Sequence, residues 1–166
     1  HRIDRETAGL VMFGKRSADR DAYHALFRDK AMHKVYEAVA AYNPSLELPR
    51  VHTSRLQPDE LFFKTQEVPG EPNSETRISL LKVLGTRALY QLEPISGKRH
   101  QLRVHMMALG LPLEGDQFYP RVLRGPEADE DFSHPLQLLA KRVAFTDPVT
   151  GEAREFQSAL RLSITL

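Results

Sequence analysis

The stretch that decides the fold is Arg77-Ile78-Ser79-Leu80-Leu81-Lys82-Val83, then Gly85-Thr86, then Ala88-Leu89-Tyr90-Gln91-Leu92. Two apolar runs separated by a short glycine-containing turn read as an antiparallel β-hairpin, and Pro94 ends the second run. Downstream, after Ser96-Gly97, the pattern changes to Leu102, Met106 and Leu109. That spacing predicts a short helix from about Arg99 to Leu109, stopped by Gly110 and Pro112. Further strands are expected at Leu136 to Phe145 and Arg154 to Gln157, around a turn at 147–151.

Upstream of the hairpin, the prolines 44, 49, 58, 69 and 72 with Gly70 mark 43–74 as loop-rich, holding at most one edge strand near Val51. Lys34 to Ala40 alternates like a half-buried strand. Ala22, Tyr23, Ala25, Leu26 and Phe27 recur at helical spacing, which predicts a helix from about Ala18 to Ala31 with Ser17 as its cap. Thr7 to Phe13 reads as a buried strand behind a polar loop. Together these elements predict an α/β (α+β) domain with a mixed, largely antiparallel central sheet and a few flanking helices.

At 166 residues with 41% hydrophobic and 27% charged side chains, the chain is expected to be one soluble domain. No cysteine is present, which excludes disulfides, thiolate metal sites and a cysteine nucleophile, and fits the cytoplasm as the expected location. No apolar run approaches the roughly 20 residues of a membrane helix, so no membrane partner is expected. A monomer is expected. Net charge is only +1, so nucleic-acid binding must come from local clustering. One cluster qualifies. Between Pro94 and Leu113 stand Lys98, Arg99, Arg103, His100 and His105 with no carboxylate among them.

Three segments carry side chains suited to chemistry. In His1-Arg2-Ile3-Asp4-Arg5-Glu6, Asp4 lies between two arginines that favour its ionised form, as a nucleophile needs. On its own the pattern reads first as a turn acid or a structural salt bridge. In Lys34-Val35-Tyr36 the phenol is able to stack on a base or exchange a proton, although a strand tyrosine is by default a packing residue. In Ser96-Gly97-Lys98-Arg99-His100-Gln101-Leu102-Arg103-Val104-His105 a glycine turn enters a basic helix, a natural seat for an anionic group. Helical spacing puts Arg99 and Arg103 on one face. His100 and His105, five apart, are poorly spaced for one metal, and no metal site is expected.

These residues resemble the RluA-type pseudouridine synthases. His1 to Leu10 matches the pattern H-R-L-D-x-x-T-S-G-L, and Ser96 to His105 matches T-G-R-x-H-Q-L-R-V-H. Residues 108–116 match A-L-G-H-P-I-x-G-D, and Lys34-Val35-Tyr36-Glu37-Ala38 matches K-x-Y-x-A between them. Leu138-Leu139-Ala140 and Phe145-Thr146-Asp147-Pro148 resemble the family's late strand and turn, so the likeness spans the chain in order. Departures are Ala8 for serine, Lys98 for arginine, and Leu111 and Leu139 for histidines.

The resemblance implies a pseudouridine synthase fold and an isomerase acting on uridines of rRNA or tRNA without a cofactor. Asp4 would be the catalytic aspartate, Tyr36 the tyrosine packed against the base, and Arg103 the arginine that pairs with Asp4. Arg2 would enter the RNA stack where the uridine leaves it. Lys98 and Arg99, with Lys34 less directly, are the candidate phosphate contacts. Attack on the ribose, attack on the uracil ring and a glycal route are all open to such a carboxylate. The chain starts at His1, at the motif itself, so residues 1–166 are expected to be a catalytic domain truncated at its N-terminus. The competing reading is a non-catalytic RNA-binding domain or RNA chaperone on the same scaffold. An unrelated aspartate hydrolase is disfavoured, because no second carboxylate motif or metal set accompanies Asp4.

Overall fold

The structure, a computed structural model, describes residues 3–165. In chain order the elements are β1 (Ala8–Gly9), α1 (Arg20–Arg28), β2 (His33–Ala41), β3 (Arg50–Pro58), β4 (Thr65–Val68), β5 (Ser74–Leu84), β6 (Arg87–Pro94), α2 (Gln101–Ala108), β7 (Leu138–Thr146) and β8 (Ala153–Gln157). The strands form one eight-stranded sheet in the order β1-β7-β2-β6-β5-β3-β4, with β8 also pairing β7. All pairings are antiparallel except β1 with β7.

The β5–β6 hairpin and β2 make the centre, and strand periodicity divides their side chains between two faces. Ala88, Tyr90 and Leu92 of β6 join Ala38, Ala40 and Ile78 under Leu102 and Met106 of α2. Leu89 points the other way, with Val39 and Leu139, and is covered by Leu162 and Ile164 of the C-terminal segment. Both faces of the central strands are therefore dry. A third cluster packs Leu26 of α1 and Met32 on Val143.

The sequence reading needs correction in three places. The segment 43–74 holds two strands, not one edge strand. Its prolines sit at the strand end and in the loops, while β3 pairs with β5 on one side and β4 on the other. The N-terminal strand shrinks to Ala8–Gly9, because β8 occupies the same edge of β7 beyond Ala140. Helix α1 begins at Arg20 after a short 3₁₀ turn over Ser17–Asp19, and the Ser17 hydroxyl makes no capping bond. Its end is a Schellman turn at Lys30 (φ 55°), where Ala31 N donates to Leu26 O and Lys30 N to Phe27 O. Helix α2 ends the same way at Gly110 (φ 76°), as its sequence foretells. Among the described residues, no helix is long and apolar enough to cross a membrane.

Candidate active site

Asp4 opens a turn closed by the Thr7 N–H on its carbonyl, and the chain then enters β1 beside β7. Gly9 is what permits this approach. Its φ is +102°, and a Cβ there would run into the Ala140 carbonyl oxygen and Leu139 Cδ1. Ala140 is also paired across β7 with Tyr36 of β2. A β-bulge at Lys141 shifts the register between Val35 and Tyr36. One residue of β7 thus fixes Asp4's turn on one side and Tyr36 on the other.

Helix α2 brings the third group. His100 takes a left-handed conformation (φ 54°) ahead of the helix, and Arg103 follows one turn later, 2% exposed. Arg103 Nη1 lies 3.6 Å from Asp4 Oδ2, and His100 Nε2 lies 3.9 Å from Asp4 Oδ1. Asp4, Tyr36, His100 and Arg103 all line one cleft of about 870 Å³. The three residues the family likeness singled out for chemistry are together.

Their electrostatics differ from the sequence reading. Arg5, beside Asp4 in the chain, does not hold it ionised. Arg5 turns outward and donates to Glu130 and to the Pro126 carbonyl. Burial raises the Asp4 pKa, outweighing the opposing pull of the Arg103 charge and hydrogen bond. Arg103 in turn is shared. Its Nε and Nη2 donate to Asp116 at 2.8 and 2.7 Å, a bidentate pair in which both side chains are buried. Asp116 Oδ1 also accepts the N–H groups of Phe118 and Tyr119. Asp116 therefore aims the guanidinium and leaves Nη1 toward Asp4. Being fully engaged, it is no second acid for hydrolysis. Asp116 has no role in the sequence reading; its place at the end of the matched 108–116 motif is the available signal.

Burial, and then the Asp4 charge, push the Tyr36 phenol up to about 12, so it keeps its proton at neutral pH. His100 Nδ1 and the Tyr119 hydroxyl are 2.7 Å apart, and that hydroxyl also accepts the Thr65 N–H, tying α2 to β4.

The candidate RNA contacts divide. Lys34 and Lys98 line the cleft, and burial lowers the Lys34 pKa. Arg99 lies before α2 rather than on a shared face with Arg103, and its guanidinium donates to the carbonyls of Phe62 and Phe63, both at 2.9 Å. It lines the cleft as well and braces a loop, keeping its positive charge. Arg2 lies outside the described residues. Across the cleft the rim is acidic, with Asp129, Glu130 and Asp131.

Among the described residues, His52, Glu67 and His105 have potential ligand atoms within 4.8 Å of one another. Three of the four ring nitrogens are already used. Ser74 gives its proton to the Ser54 carbonyl and so accepts from His105 Nε2 at 3.0 Å, while His105 Nδ1 meets Thr76 and His52 Nε2 meets Glu67. Burial, with the neighbouring His52, pushes His105 down to about 4, so its ring is neutral. The cluster pins α2 to β3 and β5.

The dual-specificity RNA pseudouridine synthase RluA of Haemophilus influenzae is 31% identical over 173 residues, covering 95% of this chain and 71% of that protein. The ribosomal large subunit pseudouridine synthase C of Escherichia coli is 29% identical over 96% of this chain, which spans only 51% of it. Human RNA pseudouridylate synthase domain containing 1 shares the fold, with a TM-score of 0.77 at 22% identity over 96% of this chain and 67% of that one. The sequence profile described as RNA pseudouridylate synthase matches residues 1–108, and the chain belongs to that family.

Proposed function

We propose that residues 1–166 form a catalytic domain that isomerises uridines of rRNA or tRNA to pseudouridine in the cytoplasm, with Asp4 as the catalytic aspartate. The observation that carries this reading is a carboxylate sunk in a cleft, faced by a guanidinium whose other edge is fixed by Asp116.

Isomerisation breaks an N-glycosidic bond, turns the freed uracil and rejoins it through carbon, with no net redox change and no external group. The protein must trap the uracil, supply a nucleophile or base, and stabilise charge in a water-poor site. Asp4 attacks; Arg103 stabilises its negative charge when the proton is absent; Tyr36 packs on the base as a neutral phenol and hydrogen-bond donor. A stacked uridine is out of reach and must be extruded at a cost of a few kcal/mol. Lys34 and Lys98 on the cleft wall offset that through phosphate contacts, which weaken as salt rises.

The test is a map of pseudouridines in RNA from cells with and without the gene, complemented by the wild type or by Asp4→Asn. Sites that vanish with the gene and return only with the wild type support the proposal. A map unchanged by deletion, with RNA still bound in vitro, favours the non-catalytic RNA-binding alternative.

A further inference from the structure

We infer that Phe62, Phe63 and Phe118 form a stacking wall for an unpaired RNA base next to the target nucleotide. This rests on the cleft being the RNA site and adds a subsite to it.

Phe62 stands at the tip of the β3–β4 loop, 76% exposed. A lone exposed phenylalanine needs no explanation, but this one begins a series. Its ring meets Phe63 edge-on, 5.5 Å between centroids, and Phe63 meets Phe118 at 5.0 Å. Phe63 and Phe118 line the cleft, and the Arg103 guanidinium lies over the Phe118 ring at 5.2 Å. The rings therefore run from open solvent down to the group that faces Asp4.

The loop is held ready. Arg99 grips the carbonyls of Phe62 and Phe63 with two parallel donors, Leu61 N donates to Asp59 Oδ1 at 3.0 Å, and Lys64 N donates to Leu61 O at 2.7 Å. An arginine beside the helix that carries Arg103 thus orders the backbone that presents the rings, and an ordered platform loses less entropy on binding.

The occupant follows from the chemistry. At the loop Asp59 and Glu60 balance Lys64 and the gripping Arg99, so a phosphate gains little net attraction there, whereas an aromatic face accepts any base. Cations for the adjoining backbone, Lys98 and Lys34, stand on the cleft wall. Single-stranded or looped RNA, with bases free of partners, matches that division between stacking and charge.

The probe is a hairpin RNA whose loop holds one uridine flanked by 2-aminopurine, titrated against the full chain at two salt concentrations. Phe62→Ala is expected to weaken binding about 5- to 150-fold and to abolish the change in 2-aminopurine fluorescence, without altering the salt slope. Phe62→Trp restores both; Phe62→Leu, apolar but without a π-face, does not. Wild-type affinity and fluorescence in Phe62→Ala would overturn the stacking wall even if the wild type forms pseudouridine. Loss of binding in Phe62→Ala alongside a wild type that forms none would keep the wall and remove the proposed reaction.

Discussion

Replacing Asp116 with Ala probes how the site is aimed. Asp116 accepts two bonds from Arg103 and two backbone N–H groups, and both members of the ion pair are almost wholly out of water. Removing one partner of a buried pair leaves an uncompensated charge and costs about 3–5 kcal/mol. At about 2–4 °C per kcal/mol for a domain of this size, the melting temperature should fall by about 6–20 °C. A double-mutant cycle separates the pair from its surroundings, because Arg103→Met with Asp116→Ala removes both charges together. That double variant should recover much of the lost stability. Urea unfolding at pH 7 measures all four proteins. A loss under about 1 kcal/mol in Asp116→Ala would refute the claim that Asp116 is the main support of Arg103.

Three further outcomes follow from the same geometry. Because burial raises the native Asp4 pKa above its ordinary 3.8, the folded state holds that proton more tightly than the unfolded state. Its stability contribution is present at low pH and is lost as pH rises from 3.8 through the native value. Asp4→Asn should then melt above the wild type at neutral pH, with the gap closing in acid; an equal or lower melting temperature at pH 7 argues against a desolvated carboxylate. The acid limb of kcat/KM should likewise sit above the ordinary carboxylate range. Gly9→Ala forces a Cβ into the Ala140 carbonyl at positive φ, so unfolding midpoints should show a loss of about 1–3 kcal/mol or more.

Much of this fold is legible because its signals are local. The hairpin turn at Gly85-Thr86, the periodicity of β2 and the glycine stop at Gly110 all act within a few residues. The end of α1 was hidden because a lysine, Lys30, fills the left-handed position glycine usually takes. The strand expected near Val51 is β3, whereas β4 was hidden in the proline-rich stretch that follows. The triad of Asp4, Tyr36 and Arg103 was legible through the family likeness, whereas local charge misled about its electrostatics. Arg5 beside Asp4 is turned to Glu130, while the cation that matters arrives from α2. Burial, a property of the assembled cleft and not of neighbours in the chain, decides the direction of the Asp4 shift. The hold of Arg99 on the Phe62 and Phe63 carbonyls was likewise illegible, because only the fold brings that loop to it.

The most direct measurement is tritium release from RNA labelled at uridine C5, run on the wild type and on Asp4→Asn, with RNA affinity measured in parallel. The expected result is turnover by the wild type, a drop of roughly a thousandfold or more in the variant, and affinity nearly unchanged. Release by Asp4→Asn at the wild-type rate would contradict the assignment of the reaction to this carboxylate.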